Sequence, residues 1–185
     1  MQGEYYLRGV METASGFKLN ADSTFQFFYS YGALDRYGSG TWKQVDGNII
    51  FNSRSQPAKD FAFIKSEKAP GNFMTLRIID NNEMVLRYVD AVFKSGNAIT
   101  EKSTDNNGMI KIPKQKFDSV ALLFRLCPDR YSTFLIPDKE HNYFEFRIEP
   151  WIAEVFFKNF SLKVENNNLK GKHPLLEGTS FAYEK

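Results

Sequence analysis

Three carboxylates and one cysteine are the side chains in this sequence with the clearest potential for chemistry. Glu145, Glu149 and Glu154 could supply the pair of acids that a glycosidase holds at a set separation in a cleft. Cys127, followed by Pro128-Asp129-Arg130, could act as a thiolate nucleophile near a cation. No motif links either group to a base or sets the acids at a fixed separation. We therefore predict no catalytic residue and interpret Cys127 as a buried structural thiol.

Oxygen-rich turns and two histidines are the only candidates for a metal site. Asp80-Asn81-Asn82-Glu83 and Asp105-Asn106-Asn107-Gly108 contain ligands that calcium uses, but neither has the alternating ligands and terminal bidentate Glu of a calcium loop. Asx turns explain both stretches. Cys127 with His141 and His173 gives too few ligands for zinc. We expect no metal and no cofactor, and we interpret both histidines as surface loop residues.

A tyrosine-rich stretch from residue 29 to 37 has the most unusual local composition. Aromatic rings offer a large contact area, and arginine offers a forked donor for a carboxylate or a sugar hydroxyl. The predicted ligand-binding residues are Tyr29, Tyr31, Arg36, Tyr37 and Trp42. The alternative is structural, with Tyr29 and Tyr31 in the core and Asp35 paired with Arg36 in a hairpin.

Length and composition narrow the class of protein. The 185 residues suffice for one large domain or two small ones, and the 16% aromatic content is typical of a folded chain that packs rings. The net charge of only +2 gives no electrostatic footprint for nucleic acid or an anionic membrane. No apolar run approaches the roughly 20 residues of a spanning helix. We predict neither a nucleic-acid partner nor a membrane span.

Two-residue alternation indicates β-structure throughout. In the stretch from Thr24 to Tyr31 every odd position is aromatic and every even position except Phe28 is polar, as in a strand with one buried face. Asp46-Gly47 is a two-residue hairpin signal, and an asparagine run at 166–168 is another turn. Strands recur at the spacing of a sandwich or barrel. At 149–157 a helical turn and a strand are both compatible with the sequence.

The first half of the chain resembles bacterial lipocalin-like proteins. The resemblance rests on Asp22-Ser23-Thr24-Phe25, Gly40-Thr41-Trp42 and Gly47-Asn48-Ile49-Ile50, which follow the pattern D-G-T-F, G-x-W, G-N-x-I. In typical lipocalins the G-x-W motif lies in the first strand of the barrel, whereas here it falls in about the third. A closed eight-stranded cup with a ligand cavity is therefore not carried over.

The second half resembles transthyretin-like sandwiches of the carboxypeptidase-regulatory type. The core of this pattern is T-D-x-x-G-x-I-x-I, which spans Thr104 to Ile112 within a matching region at 89–124. Such sandwiches are usually accessory or adhesion modules, so the resemblance implies binding rather than chemistry.

Together these patterns predict an all-β protein: an antiparallel lipocalin-like meander at 1–88, followed by a transthyretin-like β-sandwich with a C-terminal extension at 89–185. We expect a non-catalytic binding protein that holds a small apolar or glycan-like ligand or a protein partner. The alternatives are a glycoside hydrolase using an acidic pair and a structural module of a surface assembly. Residues 1–7 carry no export signal. A cytoplasmic location is thus compatible with the sequence, as is a periplasmic or secreted one in which an initiator Met replaced a leader.

Overall fold

The computed structural model describes all 185 residues, and strands make up 55% of them, which confirms the all-β prediction. The strands are β1 (Gly3–Arg8), β2 (Thr13–Leu19), β3 (Thr24–Tyr31), β4 (Leu34–Val45), β5 (Asn48–Asn52), β6 (Phe61–Glu67), β7 (Phe73–Ile79), β8 (Val89–Ser95), β9 (Ala98–Ser103), β10 (Met109–Pro113), β11 (Ser119–Phe124), β12 (Ser132–Leu135), β13 (Tyr143–Ile148), β14 (Phe160–Glu165), β15 (Asn168–Gly171) and β16 (Phe181–Glu184). The one helix is a short 3₁₀ segment, Glu83–Tyr88. No helix has the length and apolar character needed to cross a bilayer.

The first compact unit consists of residues 1–56 and 153–185. Its eight strands close an antiparallel barrel in the order β1-β16-β15-β14-β5-β4-β3-β2. The closed eight-stranded barrel, which the resemblance alone did not carry over to this chain, is therefore present. The last three strands come from the far end of the chain, beyond a 96-residue unit at 57–152, so no local pattern in the first half contains them.

Strand alternation fills the barrel with aromatic rings. On β3, Phe25, Phe27 and Tyr29 are buried in the interior, as the alternation predicts. Phe17 on β2 lies at the centre of the interior and packs against six other rings, with centroid distances from 4.7 to 6.4 Å. The interior of the barrel is thus lined by aromatic rings that are in contact with one another.

Two tight hairpins set the register of the barrel strands. Asp46 and Gly47 both have positive φ (49° and 77°) and join Val45 to Asn48, which are paired across the β4–β5 ladder. This is the geometry that the Asp-Gly signal predicts. Asn166 and Asn167 also have positive φ, 50° and 65°, and they form the two-residue turn between β14 and β15. Both predicted turns are confirmed.

The second compact unit, residues 57–152, contains two four-stranded sheets. The strand orders are β10-β7-β13-β6 and β12-β11-β8-β9, and the β7–β13 pair is parallel. Phe134 of one sheet contacts Phe146 of the other with their ring centroids 4.8 Å apart, so the sheets pack face to face as a sandwich does. The predicted turn at 105–108 is confirmed, because Asp105 Oδ1 accepts the N–H groups of Asn107 and Met109.

The two compact units differ from the predicted domains, which were residues 1–88 and 89–185. Strands β6 and β7, assigned by sequence to the first half, pair with β13 and β10 of the second unit. Sequence gave no sign of the division because no Pro/Gly/Ser-rich linker separates the units. Residues 149–157 form a turn followed by an isolated bridge between Tyr37 and Glu154, rather than a helix.

Candidate functional site

The outer face of β1–β4 carries two parallel rows of side chains, each running across four strands. The aromatic row joins cross-strand partners in the order Tyr6, Gly16, Phe28 and Tyr37. The polar row, two residues along each strand, joins Glu4, Lys18, Gln26 and Ser39 in the same way. Together the rows border a groove of about 520 Å³, which we call the outer groove.

The aromatic row presents rings to solvent. Tyr6, Phe28 and Tyr37 are 41%, 40% and 48% exposed, high values for large apolar side chains. Tyr6 and Phe28 meet edge to face, with centroids 6.1 Å apart and planes at 62°. They approach across β2 because the residue between them is Gly16, where an added Cβ would lie 2.8 Å from the Phe28 ring.

The polar row is organised around Glu4. Tyr6 donates its hydroxyl to Glu4 Oε2 at 2.5 Å, and Lys18 Nζ lies 3.1 Å from Glu4 Oε1. The Tyr6 hydrogen bond and the Lys18 charge hold the pKa of the Glu4 carboxyl below its usual value. Glu4 therefore remains an ionised acceptor at neutral pH, and it is the only carboxylate among the residues that line the groove.

This arrangement can bind a ring that is apolar on its faces and polar at its edge. Aromatic side chains stack on the apolar face, and the polar row offers a carboxylate, an ammonium, an amide and a hydroxyl to groups at the edge. The groove contains neither a second carboxylate nor a histidine, cysteine or other nucleophile–base pair.

The predicted site residues are distributed over both faces of β3 and β4. Tyr37 lines the outer groove. Tyr29 and Arg36 are cross-strand partners buried inside the barrel, where burial raises the pKa of Tyr29. Arg36 donates to the carbonyl oxygens of Ala153 and Glu154 at 3.4 and 3.5 Å, so it holds the 153–154 segment against the barrel strands.

The other two predicted residues lie outside the groove as well. Tyr31 is 50% exposed at the end of β3. Trp42 packs against the barrel core and donates Nε1–H to the Asn20 carbonyl at 3.1 Å. The structure thus brings only Tyr37 of the five to the outer groove. The groove also contains Tyr6 and Phe28, which were not among the predicted residues. For Phe28 the sequence did contain a sign of an outward-facing ring, because this residue interrupts the polar positions of β3.

Each acid considered for catalysis has an arginine partner. Arg77 lies 3.6 Å from Glu145, Arg147 lies 3.2 Å from Glu149, and Arg54 lies 2.5 Å from Glu154. Cys127 is buried in the second unit and forms no disulfide, since it is the single cysteine of the chain. No group of three or more His, Cys, Asp or Glu side chains is arranged to hold a metal ion.

The interpretation of His173 as a surface residue is wrong, because its side chain lies inside the barrel with 5% exposure. Its Nδ1 accepts the N–H groups of Leu175 and Leu176, and Nε2 lies 3.0 Å from Ser15 Oγ. Ser15 in turn donates to the Phe28 carbonyl. Burial lowers the pKa of His173 to about 4. Nothing in the local sequence marks this position as interior.

His141 lies in the second unit with its side chain 29% exposed. Its Nδ1 is 2.8 Å from Ser66 Oγ, and its Nε2 is 3.6 Å from Asp138 Oδ2. Sequence reasoning missed this cluster because 75 residues separate the serine from the histidine.

Comparisons with protein-family models, with curated proteins and with solved structures found no match for this chain.

Proposed function

We propose that the barrel is a glycan-binding module whose site is the outer groove. The observation that carries this proposal is the aromatic row of Tyr6, Phe28 and Tyr37 beside an aligned polar row, on one face of four neighbouring strands. A pyranose ring has an apolar C–H face and a hydroxyl edge, which matches a row of rings next to a row of hydrogen-bonding groups.

The dimensions favour an oligosaccharide. Neighbouring strands lie about 4.8 Å apart, so three spacings from β1 to β4 make each row about 14 Å long. A short chain of sugars lying across the strands would stack along the aromatic row and direct its hydroxyl groups toward Gln26 and Ser39 at one end and Glu4 and Lys18 at the other.

The polar row argues for a glycan over a purely apolar ligand. An apolar molecule in the groove would cover Glu4, Lys18 and Gln26 without replacing their hydrogen bonds to water, which costs free energy for each group left unsatisfied. A sugar replaces those bonds. Inside the barrel, the packed rings around Phe17 leave the outer face as the better location for a ligand.

We also propose that the barrel is related to bacterial lipocalin-like proteins and the sandwich to transthyretin-like modules, and that the protein works outside the cytoplasm. The motifs at 22–25, 40–42 and 104–112 support the two relationships. A glycan ligand supports the location, because structural glycans are presented outside the cell membrane.

The test is retardation of the full chain in native gels that contain one soluble polysaccharide each: a β-1,4-glucan, a β-1,3-glucan, a xylan or a mannan. We expect at least one polysaccharide to retard the wild type. Phe28→Ala and Tyr37→Ala should each weaken that binding about tenfold, equivalent to about 1.4 kcal/mol, because each removes an apolar ring that a sugar would cover.

Tyr31→Ala is the matched control. Tyr31 and Tyr37 are tyrosines of nearly equal exposure, 50% and 48%, on the same β3–β4 hairpin, but only Tyr37 lines the groove. Tyr31→Ala should bind as the wild type does. If no polysaccharide retards the wild type, or if Tyr31→Ala and Tyr37→Ala weaken binding equally, the outer groove is not a glycan site.

A further inference from the structure

A serine, a histidine and an aspartate lie together in the second unit. Ser66 Oγ is 2.8 Å from His141 Nδ1, and His141 Nε2 is 3.6 Å from Asp138 Oδ2. We propose that Ser66, His141 and Asp138 form a nucleophilic site that takes the acyl group from carboxylic esters. This inference goes beyond the glycan-binding proposal, because it concerns different residues in a different unit.

We assign the ring proton of His141 to Nε2, the nitrogen that faces the Asp138 carboxylate. With its proton on Nε2, the imidazole directs N–H toward the Asp138 carboxylate and leaves the Nδ1 lone pair for the Ser66 hydroxyl. A base with a free lone pair beside a serine hydroxyl is the central requirement for activating serine. The 3.6 Å separation from Asp138 is longer than a hydrogen bond, as is common at such sites before a substrate tightens them.

Backbone hydrogen bonds hold Asp138 in place. Its Oδ1 accepts the N–H of Glu140 at 2.8 Å, and its carbonyl accepts the N–H of His141 at 3.2 Å. One carboxylate oxygen is thus fixed by the turn, and the other, Oδ2, is directed at the imidazole. Asp138 is a positioning residue, which acts on Ser66 only through His141.

The residue after His141 is anchored as well. Asn142 is buried; it accepts the N–H of Ala69 through Oδ1 and donates through Nδ2 to the Phe73 carbonyl, both at 2.8 Å. Its own N–H donates to the Glu67 carbonyl, next to Ser66. These bonds connect the histidine turn to the serine strand, so the Ser66–His141 distance is set by folded structure rather than by a mobile surface contact.

Ser66 lies on β6, which is the outermost strand of its sheet and has only β13 as a neighbour there. An edge strand leaves alternate backbone N–H groups outside the ladder. Ser66 therefore lies at an open edge of its sheet, where an ester can reach its half-buried hydroxyl.

The reaction proceeds in two balanced steps. Ser66 Oγ bonds to the ester carbonyl carbon while its proton moves to His141 Nδ1; the bond to the alcohol oxygen then breaks, and the imidazolium returns the proton to the leaving alcohol. Water next attacks the acyl-serine, and its proton passes through His141 to Ser66 as the carboxylic acid leaves. Water from solvent is the second reactant, and no electrons are transferred.

The surroundings indicate a small acyl group. Ser66 is half-buried and the His141 side chain is 29% exposed, so the site is shallow and open to solvent. Nearby charges are largely paired within the unit, through the ion pairs Lys65–Glu67, Lys116–Glu140 and Lys139–Asp118. A shallow site without an unbalanced charge fits a neutral ester of a short acid, such as an acetate or a butyrate.

The test is labelling of the full-length protein with a fluorophosphonate probe, followed by intact mass and peptide mapping. We expect one adduct, located on Ser66. Ser66→Ala should abolish it, and His141→Gln, which keeps a hydrogen-bonding side chain but removes the base, should slow labelling about 100-fold. The wild type should also release p-nitrophenol from p-nitrophenyl acetate in a burst that Ser66→Ala lacks.

Ser103→Ala is the matched control, because Ser103 is an exposed serine of the same unit that donates to a carboxylate, Asp90, at 2.7 Å but has no imidazole partner. It should label as the wild type does. Circular dichroism confirms that each variant is folded. Absence of an adduct on Ser66 in folded wild type, or equal labelling of the wild type and His141→Gln, would overturn the proposal.

The positioning role of Asp138 has its own readout in the imidazole ¹⁵N chemical shifts of His141. In the wild type these should report a proton on Nε2, and Asp138→Asn should shift the tautomer population toward Nδ1 protonation together with slower labelling. Slower labelling with an unchanged tautomer would mean that Asp138 only supports the turn.

Discussion

The two units of the molecule each contain a serine beside a histidine, and the two pairs have opposite chemistry. In the barrel, His173 Nδ1 accepts two backbone N–H groups, so the ring proton must be on Nε2 and must point at Ser15. In the sandwich, the Nδ1 of His141 faces Ser66 and its Nε2 faces a carboxylate. His173 has no lone pair left for its serine, whereas His141, with its proton assigned to Nε2, has one at Nδ1.

This difference shows that a short Ser–His distance does not by itself make a nucleophile. What matters is the third partner of the imidazole. Backbone donors convert the ring into a structural acceptor, while a carboxylate converts it into a base. Burial reinforces the contrast, because His173 is enclosed by rings, with Phe27, Tyr29, Phe181 and Tyr183 centroids 5.5 to 6.1 Å away.

The largest expected effect concerns acid stability of the barrel. The pKa of His173 is lowered to about 4 from an ordinary 6.5, so between these values the unfolded chain binds a proton that the folded barrel does not. The resulting stability is complete above pH 6.5 and is lost as pH falls to 4, by about 3 kcal/mol. Urea unfolding from pH 7.5 to 4, with hydrogen exchange to isolate barrel amides, measures it.

His173→Gln should remove most of this fall in the free energy of unfolding, because the glutamine side chain does not titrate. His141→Gln is the control and should leave the decline of the barrel intact. If the wild type and His173→Gln lose barrel stability in parallel over this range, then the buried imidazole is not the source of the pH dependence.

A smaller effect separates the two serines. Ser15→Ala removes the acceptor of the His173 Nε2–H and leaves a buried donor unsatisfied, which should cost about 1–3 kcal/mol. Ser66→Ala leaves a partly exposed imidazole that water can reach, so it should cost less than about 1 kcal/mol. The difference between their denaturation midpoints measures the contrast. Equal losses would show that the two Ser–His pairs contribute equally to the free energy of unfolding.

The smallest effect is a gain in stability next to His173. The Tyr183 side chain is fully buried, its hydroxyl has no hydrogen-bond partner, and burial raises the pKa of that hydroxyl. Tyr183→Phe removes an unsatisfied polar atom and keeps the ring, so it should raise the free energy of unfolding by about 1 kcal/mol. A loss of stability instead would indicate that the hydroxyl has an ordered water as partner.

Local patterns predicted the strands and turns well, but they did not show which side chains share the outer groove. The alternation of β3, the Asp46-Gly47 hairpin and the Asx turn at Asp105 are all present, because each depends on residues within a few positions of one another. Phe28 is the one apolar residue at the outward-facing positions of β3, and it lines the outer groove. Its partner Tyr6 was not identified as a site residue, because strand register is not visible in a single segment.

What the sequence by itself determined is the type of structure: pleated strands with one aromatic face, tight Asn- and Gly-containing turns, and no helix of consequence. Only the tertiary structure decided that residues 160–184 close a barrel begun at residue 3, that His173 is enclosed while His141 reaches solvent, and that Ser66 meets a histidine 75 positions away. The reason is physical. Strand formation follows from the side chains of neighbouring residues, but pairing between distant strands depends on burying their faces together, which no short stretch of chain specifies.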